Sequence, residues 1–216
     1  MHRISSLPAY MLDRYKGWKS TTYEDHSDWL LKLAREGQSP DAMVIACCDS
    51  RVNVTEVFGR KPGELFVHRN IANVVPSFAD DGGHHGTAAA IEYAVAVLRV
   101  SHIVVMGHSQ CGGVQGCIAM CKDTAPELSR RDSFVGRWLD ELRPAYRAVA
   151  DIAEPDMQQI AMEKECVQLS LKNLMDYPFV REAVDKGMLS LHGLWVEIGA
   201  GNMESYDGVL KRFDPV

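Results

Sequence analysis

The sequence predicts an α/β protein built on a parallel sheet. Three observations carry that reading. Apolar runs over residues 43–47, 64–68 and 102–106 have the length and composition of strands. The stretch 86–99 between the last two has helical character, and a glycine-rich turn with a further helix follows residue 106. Strand–helix–strand–helix order is what parallel pairing demands, because the chain must cross back over the sheet between strands.

Each element has its own signal. Residues 9–18 and 24–37 read as helices. In Trp29-Leu30-Leu31-Lys32-Leu33-Ala34 the apolar positions recur at helical spacing, and Gly37 suits a stop. A Pro62-Gly63 turn precedes the second strand. Ala88, Ala89, Ile91, Ala94, Val95, Val97 and Leu98 give helix 86–99 an apolar body, and the next helix begins near Val114. The run 122–133 is the most loop-like interior stretch. Helices are expected over 131–150 and 157–175, then a shorter one opened by Pro178 and followed by Gly187. Residues 188–198 read as a late strand. With 216 residues and no internal repeat or linker, one domain spanning 1–216 is expected, with residues 1–37 as a helical arm.

The net charge of −6 argues against a nucleic-acid partner. No apolar run reaches the ~18–20 residues that span a bilayer. Met1-His2-Arg3-Ile4-Ser5-Ser6-Leu7-Pro8 lacks the apolar core of a secretory signal, so a cytoplasmic protein is expected. The six cysteines then read as reduced thiols rather than as a disulfide framework.

The chemistry lies in two short segments, Cys47-Cys48-Asp49-Ser50-Arg51 and His108-Ser109-Gln110-Cys111-Gly112-Gly113. Each follows a strand, and in sheets of this type ligands gather at the carboxyl ends of strands. Strand alternation turns Cys47 and Asp49 to one side and Cys48 to the other, which makes Cys47 the ligand and Cys48 a packing residue. His108 and Cys111 stand three apart on a turn. Two thiolates and an imidazole suit Zn²⁺ and leave one position for water, a recognised catalytic arrangement. Arg51 offers a planar donor fork to Asp49. The carboxylate could aim a zinc-bound hydroxide, or occupy the fourth position and shut the site. Gly112 and Gly113 permit close backbone approach or positive φ, and a plain tight turn explains them equally well. Nucleotide binding is disfavoured, because Gly112-Gly113-Val114-Gln115-Gly116 has neither the Walker nor the dinucleotide-binding spacing.

Together with Phe66-Val67-His68-Arg69-Asn70-Ile71-Ala72-Asn73 and Ala90-Ile91-Glu92-Tyr93-Ala94, these segments resemble the β-class carbonic anhydrases. The similarity is dense from about Gln38 to Gln115 and returns at His192-Gly193. The resemblance implies one Zn²⁺ per subunit on Cys47, His108 and Cys111, an Asp49–Arg51 dyad, and a four- or five-stranded mostly parallel sheet flanked by helices. It implies a homodimer, often assembled into tetramers or larger, with the N-terminal arm packed on the partner subunit and the active site in a cleft at the interface. It further implies reversible hydration of CO₂ to bicarbonate and a proton by zinc-hydroxide attack.

Within that family the chain resembles the plant-like, open-site subtype, in which Gln38, Phe66 and Tyr93 line the substrate pocket and Gly112 lies against it. The other subtype has a regulatory bicarbonate pocket of Trp, Arg and Tyr. Val44 and Val196 stand at two of those positions and only Arg69 matches, so no such pocket is expected. Two thiolates should raise the bound-water pKa relative to an all-histidine site, so activity should rise with pH. The proton shuttle stays open among His68, His84, His85, His102 and His192, with His84-His85 read as an exposed loop pair. Two alternatives keep the motifs: hydrolysis of CS₂ or COS, and a structural zinc closed by Cys47, Asp49, His108 and Cys111.

Overall fold

The computed structural model describes residues 5–79 and 85–216. His2 and His84 lie outside them. The chain divides into two compact units, Met1–Ser39 and Pro40–Val216. The first is a helical pair, α1 (Ala9–Lys19) and α2 (Thr22–Glu36), and neither helix has a buried residue. Tyr10, Met11, Leu12, Tyr15 and Trp18 of α1 are exposed. Gly37 ends α2 with a left-handed φ of 85°.

The second unit is organised by one sheet. Its strands are β1 (Ala42–Cys47), β2 (Leu65–Asn70), β3 (His102–His108), β4 (Ser190–Val196), β5 (Met203–Asp207) and β6 (Arg212–Pro215). They lie in the order β2-β1-β3-β4-β5-β6. β2, β1, β3 and β4 are parallel, and β5 and β6 add an antiparallel hairpin at the edge. Six strands therefore replace the expected four or five. The last two were hidden because Met203-Glu204-Ser205-Tyr206-Asp207 and Arg212-Phe213-Asp214-Pro215 carry charge at an exposed edge, where no long apolar run is needed.

Alternation divides the central strands between two layers. Met43, Ile45, Ile103 and Val105 face a core that contains Ile91, Ala94, Val167 and Leu174. Val44, Ala46 and Met106 pack on the other side with Val52 and Val54, the latter opening the short helix α3 (Val54–Val57). Helix α4 (Gly86–Glu92) runs into a π-helical stretch, Tyr93–Leu98, and Arg99 ends it in left-handed conformation. Helix α5 (Gly112–Cys121) starts two residues before Val114, directly on the second motif. The single helix expected over 131–150 is broken. α6 (Phe134–Leu139), a 3₁₀ turn at Asp140–Leu142 and α7 (Arg143–Val149) replace it, with Pro144 in the first turn of α7, where a missing N–H costs nothing. α8 (Pro155–Leu174) and α9 (Pro178–Asp185) match their expected spans closely. Gly107 lets α8 press on β3, since a Cβ there would stand 2.7 Å from Val167 Cγ2. No helix among the described residues is long and apolar enough to cross a membrane.

Candidate metal centre

Three elements end at one point. Cys47 is the last residue of β1, His108 the last of β3, and Cys111 the residue that caps α5. Parallel pairing of β1 with β3 brings the first two together, and the turn 109–111 returns the third. The ligand atoms of Cys47, His108 and Cys111 all lie within 4.8 Å of one another. The three residues are 5%, 1% and 1% exposed.

The donor set fits zinc. Cys47 Sγ and Cys111 Sγ are 3.9 Å apart. Two Zn–S bonds of about 2.3 Å at a tetrahedral angle separate their sulfurs by about 3.8 Å. His108 Nδ1 lies 2.9 Å from the Ser109 carbonyl oxygen, which can only accept, so Nδ1 carries the proton. Nε2 is then a lone-pair atom, and it is buried with no hydrogen-bond partner among the described residues. A buried imidazole lone pair beside two thiols is poorly served by their weak S–H donors and well served by a cation.

Backbone groups hold the sulfurs in place. The N–H groups of Asp49 and Ala72 each point at Cys47 Sγ from 3.4 Å. Cys111, these N–H groups and His108 together hold the Cys47 thiol down at about 4, against the opposing effect of burial. The same contact with Cys47, together with burial, pushes the Cys111 thiol up. Ala72 (φ 61°) and Gln110 (φ 53°) are non-glycine residues in left-handed conformation beside the ligands, a placement typical of functional sites.

The dyad is formed. Arg51 Nε donates to Asp49 Oδ1 at 3.0 Å and Nη2 to Oδ2 at 2.8 Å, and the Arg51 backbone N–H adds a further bond to Oδ1. This pairing holds the Asp49 carboxyl well below the usual carboxylate range. Arg51 Nη2 also donates to the Gln110 carbonyl oxygen at 3.0 Å, which ties the two motifs together. Asp49 stands outside the three-residue ligand group.

Several residues contribute in ways the motifs alone did not show. Arg69 donates to the Cys47 and Asp49 carbonyl oxygens at 2.9 and 2.6 Å and so braces the whole first motif. Glu163 is 2% exposed and accepts from the Cys111 N–H, the Gln159 amide and the Trp195 indole at 2.9 to 3.1 Å. Its signal was a carboxylate set in the buried stripe of α8 with Met162, Cys166, Val167 and Ser170. Gly113 packs on Ile71 and Ala72, where a Cβ would come within 2.9 Å of either side chain. A Cβ on Gly112 would meet nothing within 4 Å. Neither has a positive φ, so close packing and not left-handed backbone explains Gly113. Cys48 is exposed rather than packed, because the chain turns outward directly after β1.

Phe66 and Tyr93 meet each other, with ring centroids 5.8 Å apart. Phe66 does not meet the metal centre of its own chain. Phe66 pairs with Met43, and Cys47 pairs with Asn70. Four residues of strand separate them, about 13 Å. Gln38 is exposed and belongs to the first unit. His68 is bonded to Thr87 at 3.0 Å and His102 to His192 at 3.1 Å.

A profile of the carbonic anhydrase family matches residues 42–203. Beta carbonic anhydrase 3 of Arabidopsis thaliana is 37% identical over 194 residues, 88% of this chain and 73% of that one. The structure of the β-carbonic anhydrase CcaA superposes with a TM-score of 0.87 at 30% identity, covering 96% of this chain and 91% of that one. One of two tetrameric β-carbonic anhydrases from Sordaria macrospora gives 0.76 at 34% identity, over 91% and 94%. With the ligand cluster, the dyad and the sheet all in place, the chain belongs to the β-carbonic anhydrase family.

Proposed function

We propose that this chain catalyses the reversible hydration of CO₂ to bicarbonate and a proton, with one zinc ion held by Cys47, His108 and Cys111. The observation that carries the proposal is the buried, unpartnered His108 Nε2 facing two thiols. Bound zinc would supply a water acidified from far above neutrality to a pKa of about 7, for which a three-histidine carbonic anhydrase is the type case. The protein's own residues do the rest. Arg51 keeps Asp49 ionised and fixed, so the lone pairs that Arg51 leaves free accept a hydrogen bond from the nucleophile and aim it at carbon. The two thiolates offset the charge of a divalent cation, which shifts activity toward higher pH than a three-imidazole site would give.

The protein acts as a homodimer or a larger assembly. Phe66 is too far from its own chain's centre to line it, and Tyr93 packs beside it, so both serve the centre of the partner subunit, with Gln38 donating to a substrate oxygen and Gly112 bordering the cleft. The arm over residues 1–37 covers the partner, which gives the exposed aromatic residues of α1 an apolar surface to meet. The site is of the open subtype. Val44 is buried with Ala46, Val52 and Met106, and Val196 packs against them, so apolar side chains fill that region. Stopped-flow CO₂ hydration by zinc-loaded protein tests the reading. The rate should climb from mildly acidic to alkaline pH, and a rate at background throughout, or flat across that range, would contradict it.

A further inference from the structure

The opposite end of the sheet holds two imidazoles that lie far from the candidate metal centre. His102 opens β3, and His192 pairs in register with Val104 on β4. Residues 102 and 104 lie on the same face of β3, so the two rings stand on one side of the sheet. Their centroids are 5.2 Å apart, and His102 Nδ1 lies 3.1 Å from His192 Nε2. Six residues of β3 separate His102 from His108, about 20 Å of strand. The pair is therefore independent of the centre at the carboxyl ends.

We propose that His102 and His192 form a second metal site, selective for a late first-row divalent cation such as Ni²⁺ or Cu²⁺. The spacing is the first argument. Two metal–nitrogen bonds of about 2.05 Å to atoms 3.1 Å apart enclose an angle of about 98°. That lies between the right angle of tetragonal coordination and the tetrahedral value. Imidazole nitrogen suits nickel, copper and zinc, and affinity in this series rises to copper.

The setting is the second argument. Both rings sit on paired strands and already face each other, so little side-chain entropy is lost on binding. Both are exposed, and they border a cavity of about 310 Å³ walled by Phe58, Leu65 and Val104, with room for water on the remaining coordination positions. Arg60 borders it too, and its charge is offset by Glu64 at 4.0 Å. Each imidazole binds as the neutral form, with its one N–H on the nitrogen turned away from the ion. Ligation thus needs a tautomer shift in the ring that donates in the free pair and a turn of each ring, so that both lone pairs point at the ion instead of along the N···N line. No net proton or electron is transferred.

The test uses the full chain, saturated with zinc, desalted and titrated with Ni²⁺ under calorimetry, with metal analysis after dialysis against Ni²⁺. One nickel should bind per chain in addition to the resident zinc. His102→Asn and His192→Asn should each abolish nickel binding and leave zinc content unchanged. Cys48→Ser, which removes the exposed thiol, should leave nickel binding intact. Absence of nickel binding, nickel binding that survives both histidine variants, or its loss in the Cys48 variant would overturn the proposal. Should a histidine variant fail to fold, paramagnetic broadening of the wild-type NMR spectrum decides. Broadening centred on His102, Val104 and His192 supports the site, and broadening centred elsewhere refutes it.

Discussion

The two ends of the sheet both present imidazole to a neighbouring group, and they treat it differently. At the carboxyl ends of the strands His108 is buried, its proton is fixed on Nδ1 by a backbone carbonyl, and two thiols wait beside Nε2. At the amino ends His102 and His192 are exposed and bonded to each other. The difference teaches where catalytic power comes from in this fold. The carboxyl end has a turn that returns a third candidate ligand, N–H groups of Asp49 and the left-handed Ala72 aimed at sulfur, and a charged dyad locked to both motifs. The amino end has two exposed rings at ligand spacing beside an apolar cavity.

The largest expected effect breaks the contrast outright. His108→Ala or Cys111→Ser should remove both the zinc and CO₂ hydration, whereas His102→Asn should leave both intact. Metal analysis beside stopped-flow assays checks this. Next comes the dyad. Arg51→Ala frees Asp49 from its fork, and hydration should fall by about 10²–10³-fold, the usual cost of losing one preorganised polar contact, with zinc retained.

Smaller effects probe the frame. Glu163→Gln places an amide where the Cys111 N–H, the Gln159 amide and the Trp195 indole all donate. Two N–H groups then face each other in the interior, and urea denaturation should show a loss of about 1–3 kcal/mol. Gly113→Ala drives a methyl into Ile71 and Ala72 and should cost about the same by overpacking. The smallest effect is pH-linked. Arg51 lowers the folded-state pKa of Asp49, so the pairing contributes its full stability above the unfolded value near 4 and loses it as pH falls toward the folded one. The stability gap between wild type and Asp49→Asn in urea should therefore narrow between pH 7 and pH 3.

Much of this was legible in the chain. The apolar runs 43–47 and 102–106 needed burial on both faces, which only the centre of a parallel sheet supplies. The candidate ligand group was legible because Cys47 and His108 stand where such strands end and Cys111 follows on the next turn. Other features depend on distant partners that no local pattern reports. Glu163 looks like one charge among Glu163-Lys164-Glu165 until α8 is laid over β3. Arg69 looks like a surface cation until its side chain reaches back to Cys47 and Asp49. Strand alternation misplaced Cys48, because alternation stops where the strand stops. The hairpin β5–β6 escaped notice because an exposed edge needs few apolar residues.

Zinc K-edge X-ray absorption on the metal-loaded protein at neutral pH, in wild type and in Asp49→Ala, tests the central claim most directly. Two sulfurs at about 2.3 Å and two lighter atoms at about 2.0–2.1 Å, unchanged when Asp49 is removed, would match two thiolates, one imidazole and one exchangeable water. A shell without two sulfurs, or one that loses a light atom in Asp49→Ala, would contradict it.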